Sequence, residues 1–163
     1  MKARLFAAVA LAALLGLALP TPAPAVDVSS IYDTLALMKE HSILYVAVTE
    51  AKETAALKGD GMFTLFAPTD AAFKALDAAT IKKIAGNKAA VQQLLRAHLV
   101  AGKLAAADLK VRAEELRTLQ GTALNVRDAK DGLRVGEAKL VTTDIMCSNG
   151  VIHVIDVVLP VGK

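Results

Sequence analysis

The side chains best suited to chemistry in this sequence are three histidines, one cysteine and a few carboxylates near them. A histidine paired with an aspartate can act as a general base, and a cysteine paired with a histidine as a nucleophile. The stretch NGVIHVIDVVLP, Asn149 to Pro160, places His153 and Asp156 inside an apolar run that predicts a strand. Side chains alternate faces along a strand, so residues three apart point to opposite sides and cannot form a dyad. Both faces of this strand are apolar, so it is expected to be central and covered on both sides. A polar group there needs a hydrogen-bond partner or costs about 1–3 kcal/mol. His153 and Asp156 are therefore expected to bond backbone groups and pin neighbouring loops. His98 follows Leu94 by one helical turn, on the apolar stripe of a helix. It reads as a core histidine bonding a loop carbonyl, with a part in partner binding as the alternative. His41 stands at a helix boundary and is expected to be solvated. The histidines show no HxH or HxxxH spacing, so no metal site is expected. The chain has no GxSxG, GxxxxGK[ST] or GxGxxG pattern, and no cofactor is expected. Cys147, the lone cysteine, cannot form an internal disulfide. It reads as a buried small hydrophobe, or else as an exposed thiol pairing two chains. The residue chemistry argues against an enzyme.

These residues must be positioned by an apolar core. Lys2 and Arg4, an apolar run from Leu5 to Leu19, and Ala23-Pro24-Ala25 form the pattern of a secretory signal peptide over residues 1–25. The apolar run is short of the roughly 20 residues that span a bilayer, so no transmembrane segment is expected after cleavage. Residues 26–163 are read as a single domain. Lys and Arg number 19 against 16 Asp and Glu, and loss of the leader with Lys2 and Arg4 brings them nearly into balance. No Lys/Arg stripe is present to neutralise a phosphate backbone, so nucleic acid is excluded as a partner.

The first half carries helical periodicity. Ser30 precedes Ile31, Leu35 and Met38, and Ser42 precedes Ile43, Val46, Ala47 and Ala51. MFTLFA, Met62 to Ala67, is a β-prone run. Thr69 or Asp70, Asp77 and Asn87 are placed to cap three further helices, with Phe73, Ile81, Ile84, Val91, Leu94 and His98 inward. The second half alternates with a period of two, and Asn149-Gly150 suits a tight hairpin. Helices followed by antiparallel strands imply an α+β fold.

FTLFAPTDAAF (Phe63 to Phe73) and NGVIHVIDVVLP resemble the two conserved blocks of the fasciclin domain, and LLRAHLVAGKLAAADL (Leu94 to Leu109) and TLQGTALNV (Thr118 to Val126) fit between them. The resemblance runs from about Ser29 to Pro160. It implies a wedge: a seven-stranded β-sandwich with helices packed beside it. In that frame Thr69 and Asp70 cap a helix and bond across to the second block, and Phe73, Asn149, Gly150, His153 and Asp156 are scaffold. The family's Tyr-His pair reads Ala97-His98 here, and the missing tyrosine leaves the pair's adhesive role without one of its members.

The resemblance also implies a non-enzymatic module for adhesion or protein interaction, exported to the periplasm, cell surface or exterior of a bacterium, with a cell-surface or matrix protein as partner. Asp144-Ile145 stands where some animal members carry an Asp-Ile pair that contributes to integrin binding. It is a candidate partner contact with His98. Alternatively, Ile145 ends a core strand and Asp144 caps the turn. The runner-up function is carriage of an apolar small molecule such as a pigment or lipid. Glycan binding comes third, since the chain has no Trp and only two Tyr, Tyr32 and Tyr45.

Overall fold

A computed structural model describes residues 29–111 and 116–161. The leader expected over residues 1–25 lies outside the described residues. Among the described residues, seven α-helices precede or interrupt the strands: α1 (Ile31–Leu37), α2 (Ser42–Ala51), α3 (Thr54–Lys58), α4 (Asp70–Lys74), α5 (Ala78–Ile84), α6 (Lys88–His98) and α7 (Ala106–Val111). The strands are β1 (Phe63–Pro68), β2 (Leu99–Ala101), β3 (Leu116–Arg117), β4 (Ala123–Leu124), β5 (Val126–Ala129), β6 (Gly132–Val135), β7 (Ala138–Cys147) and β8 (Gly150–Ile155). The fold is α+β, as the change of period predicts.

The helix starts follow local capping chemistry. The Ser30 hydroxyl accepts from Asp33 N–H, Thr69 from Ala72 N–H, Asp77 from Thr80 N–H and Asn87 from Ala90 N–H. The start of α2 is different. Ser42 begins the helix and donates its hydroxyl to the Lys39 carbonyl, while the Asp70 carboxylate accepts from Ile43 N–H at 2.9 Å. A residue 27 positions away therefore supplies this cap, which no local pattern could foretell.

The described strands form a six-stranded sheet ordered β2-β1-β8-β7-β6-β5 and a separate β3-β4 pair, one strand more than the sandwich expected from sequence. The surplus comes from short pieces, since β3 and β4 are two residues each. The sheet is mixed. β1 runs antiparallel to β2 but parallel to β8, with Phe66 opposite His153. A parallel pair needs a long crossover, and here nearly the whole chain between the two conserved blocks provides it. The β7/β8 register shifts twice, between Leu140 and Thr142 and between Thr142 and Ile145. Such irregularities bend a strand and re-aim its side chains.

The β1–β8 seam separates two apolar clusters. Leu65, Ala67 and Ile152 face the helices with Ile31, Leu44, Leu94 and Leu95. Phe66 and Ile155 face the other way, with Leu109, Leu124, Val126 and Val135. All six residues of β8 are buried, as its two apolar faces predict. The strand is shorter than the sequence reading, which ran it to Leu159. At Ile155 its carbonyl turns to Thr69 N–H, and Leu159 N–H goes to a histidine rather than to a strand.

The turn between β7 and β8 is Ser148-Asn149, with Cys147 opposite Gly150, one residue earlier than Asn149-Gly150. Gly150 has φ +155°, and a Cβ there would stand 1.9 Å from the Phe63 carbonyl oxygen. Glycine is needed because the β1 backbone passes directly over it.

Candidate partner-binding site

His153 joins the sheet to the loop that precedes α7. Its ring stacks on Phe66, with centroids 5.7 Å apart. Asp144 N–H donates to Nδ1 at 3.2 Å, so the ring proton is on Nε2, which donates to the Leu104 carbonyl at 2.8 Å. Burial lowers the His153 pKa below 6.5, with the Leu104 carbonyl and Asp144 opposing it. Thr64 on β1 pins the same loop, donating to the Gly102 carbonyl at 2.7 Å and accepting from Leu104 N–H at 3.0 Å. The Asp144 carboxylate completes the set by accepting from Ala106 N–H at 2.8 Å.

Asp144 adopts φ +61°, a left-handed conformation that Asp tolerates better than most residues. The residue is exposed, but both its backbone donor and one carboxylate oxygen are bonded inside the protein. Ile145 is half-buried against the helix-side cluster. It lines a groove of about 290 Å³ with Met38, Val141, Val154, Thr69 and His41. Val141 is 60% exposed and forms the open apolar rim. The sequence reading singled out Ile145 but not Val141 or Met38. Their spacing carries no signal, because the β7 irregularity decides which side chains meet the turn after α1.

Both ring nitrogens of His98 bond elsewhere than at Asp144-Ile145. Its Nδ1–H donates to the Leu94 carbonyl of its own helix at 2.7 Å, and Nε2 accepts from Leu159 N–H at 2.9 Å. The expected loop carbonyl is thus replaced by a loop N–H. Burial pushes the His98 pKa down to about 4, against the opposing pull of the Leu94 carbonyl. His41 corrects the sequence reading, which had it solvated. It is 2% exposed, on the 3-10 turn Lys39–His41, because that turn packs inward against α4 and β1. Neither ring nitrogen meets hydrogen-bond geometry. Burial lowers its pKa, offset by the Ala67 backbone, Asp70 and Glu40 acting at longer range.

Asn149 is the most heavily used of the polar residues. Its Oδ1 accepts from Ile31 N–H at 2.8 Å, and its Nδ2 donates to the Leu57 and Gly59 carbonyls at 2.7 and 3.1 Å. Its own carbonyl accepts from Phe63 N–H. One side chain therefore ties α1, α3 and the β7–β8 turn together. Asp156 lies just past β8 and is exposed. It exchanges two bonds with Lys139, carboxylate to N–H at 2.8 Å and N–H to carbonyl at 3.2 Å. Thr69 caps α4 and donates its N–H to Ile155 of the second block, whereas Asp70 bonds to α2 instead. Phe73 is buried in the helix-side cluster. Cys147 is buried, with its thiol near Thr34 Oγ1 at 3.4 Å, and burial raises its pKa. Among the described residues no three His, Cys, Asp or Glu side chains could hold a metal, and no helix is long and apolar enough to cross a membrane.

Compared with known families, residues 39–161 match the fasciclin domain. The chain belongs to the fasciclin domain family. Its sequence is 43% identical over 123 residues to Protein sll1483 of Synechocystis sp., covering 73% of this chain and 67% of that protein. It is 33% identical over 132 residues to human periostin, covering 80% of this chain but only 16% of periostin. It is 35% identical over 99 residues to immunogenic protein MPB70 of Mycobacterium bovis, covering 61% of this chain and 50% of that protein. The fold superposes on a domain pair from the insect cell adhesion molecule Fasciclin I with a TM-score of 0.70 at 19% identity, over 81% of this chain and 51% of that one. That likeness establishes the fold, which thus occurs in a cell adhesion molecule.

Within this fasciclin domain, the ring nitrogens of His98 and His153 and the carboxylates of Asp70, Asp144 and Asp156 are all engaged with backbone groups. A base must have a free lone pair within reach of a substrate proton. Neither histidine has one. What the arrangement does is hold loops and helix ends to the β1–β8 seam.

Proposed function

We propose that this fasciclin protein is an exported, non-enzymatic adhesion or interaction module, and that it meets a cell-surface or matrix protein through the groove beside Ile145. The observation that carries the reading is that both ring nitrogens of His98 and of His153 are taken by internal bonds to backbone groups, which leaves recognition to the outer surface. The groove offers an apolar floor from Met38, Ile145 and Val154 with charged Lys39 and Glu40 beside it, and apolar centres with polar rims are typical of interfaces. The membership of a cell adhesion molecule in the same fold is a further support.

Beads coated with the protein should adhere to cells of its native host, and Val141→Asp should reduce adhesion severalfold. Val141 is 60% exposed, so the substitution should change stability by no more than about 0.5 kcal/mol. Undiminished adhesion by a folded Val141→Asp protein would remove the groove from the interface. The second reading, carriage of an apolar small molecule, is favoured by one observation, an apolar groove among the helices.

A further inference from the structure

On the helical side, α2, α4, α5 and α6 frame a groove of about 260 Å³. Its walls include Val46 and Ala47 of α2, Phe73 of α4, Ile81 and Ile84 of α5, and Leu94 of α6. Val46 and Ile81 are 52% and 43% exposed, so the apolar lining opens to solvent. α5 contributes two isoleucines yet buries none of its own residues. Glu50 and Lys74 are the charged residues of the lining.

Apart from Glu50 and Lys74 the walls are apolar, whereas a functionalised ring system needs several placed polar groups around it. The volume also falls below the roughly 300 Å³ at which drug-sized pockets begin. A single flexible hydrocarbon chain, polar at one end, suits both facts. The charge at the mouth chooses the end group. Lys74 is the one cation among the lining residues. The Asp77 carboxylate stays charged but caps the first turn of α5, where it accepts from Thr80 N–H and hydroxyl at 3.0 and 2.6 Å. Glu50 is two turns along α2 from Ile43, about 10 Å at 1.5 Å per residue. The bond from Ile43 N–H to Asp70 anchors α4 at the Ile43 end.

We propose that this groove binds a free fatty acid, its chain along α2 and under α5, its carboxylate at Lys74. The proposal rests on the carriage reading and gives it a site and a ligand class; the interaction reading does not depend on it. Calorimetric titration of the purified protein with hexanoate, octanoate, decanoate and dodecanoate, each below its micelle concentration, tests it. Saturable 1:1 binding should tighten about fourfold per added methylene until the groove is full. Lys74→Glu should weaken decanoate about fivefold and leave decanol unchanged. Ala47→Phe should abolish both by filling the groove, and Ile81→Glu on the exposed wall serves if that variant fails to fold. Absence of binding by both decanoate and decanol overturns the proposal and the carriage reading together. Equal affinity for decanol and decanoate, indifferent to Lys74→Glu, overturns the fatty-acid assignment and keeps carriage. Decanoate binding that survives a folded groove-filling variant overturns the site. Sedimentation with phosphatidylglycerol vesicles in place of decanoate binding would assign the groove to a membrane surface and overturn the proposal.

Discussion

Acidification should unfold this protein through its histidines before its carboxylates matter, and His98 is the sharpest probe. In the folded state His98 is neutral: Nε2 accepts from Leu159 N–H, and burial holds the pKa at about 4. In the unfolded chain the same group returns to about 6.5. Below pH 6.5 the unfolded state therefore binds the proton and the folded state does not, so falling pH favours unfolding. The contribution is fully present above pH 6.5, is lost as pH drops towards 4, and stops changing below that. At about 1.36 kcal/mol per pH unit, the interval amounts to roughly 3 kcal/mol from His98. His41 and His153 are shifted in the same direction by burial and add to the loss. Asp77 and Asp131 have carboxyl groups held below 3.8 by hydrogen bonds to Thr80 and Arg134, so their protonation falls under this window. Urea unfolding followed by circular dichroism at half-unit steps from pH 7.5 to 4.5 reads the effect directly, with a constant m-value as the control for two-state behaviour. His98→Gln should be less stable at pH 7 because a buried bond is lost, yet its stability should fall less steeply with acid, by about 1.36 kcal/mol per pH unit below pH 6. Equal slopes for the two proteins would refute the assignment of a neutral, internally bonded His98.

Asn149→Ala strands Ile31 N–H and two carbonyls in the interior and should cost roughly 3 kcal/mol or more, read as a lower urea midpoint at unchanged m. Asp144→Asn keeps an acceptor for Ala106 N–H and a residue type that tolerates φ +61°, so its stability should stay within about 0.5 kcal/mol. Asp144→Val loses both and should cost about 2 kcal/mol in the same assay. Cys147 should resist a thiol reagent such as dithiobisnitrobenzoate in the native protein and react fully in denaturant, since it is buried and its pKa is raised; rapid native labelling would contradict its placement.

Much of the fold is legible because it is written locally. The caps by Ser30, Thr69, Asp77 and Asn87 lie within three residues of the N–H they accept, and period alone separates the helical half from the strand half. His153 lies on β8 as the apolar run predicts, whereas Asp156 falls one residue past the strand, so alternation does not set its side. The site is legible only in part. Ile145 could be singled out by its motif position, whereas Val141 and Met38 come to it through a register shift and a 3-10 turn. His41 was misread because a helix boundary says nothing about whether that boundary faces solvent.

Residue order by itself determined the starts of α1, α4, α5 and α6, the two-faced apolar strand β8, the requirement that its polar residues be satisfied, and the family. These depend on period and on bonds a few residues long. Tertiary structure alone decided the partners: Asp70 for the start of α2, Asn149 for α1 and α3, His98 for Leu159, His153 for Leu104, and a parallel rather than antiparallel β1–β8 seam. Each joins groups separated by 27 to 118 residues. A buried polar group demands a partner without naming one, and only the packing of the apolar clusters brings a particular donor or acceptor within reach.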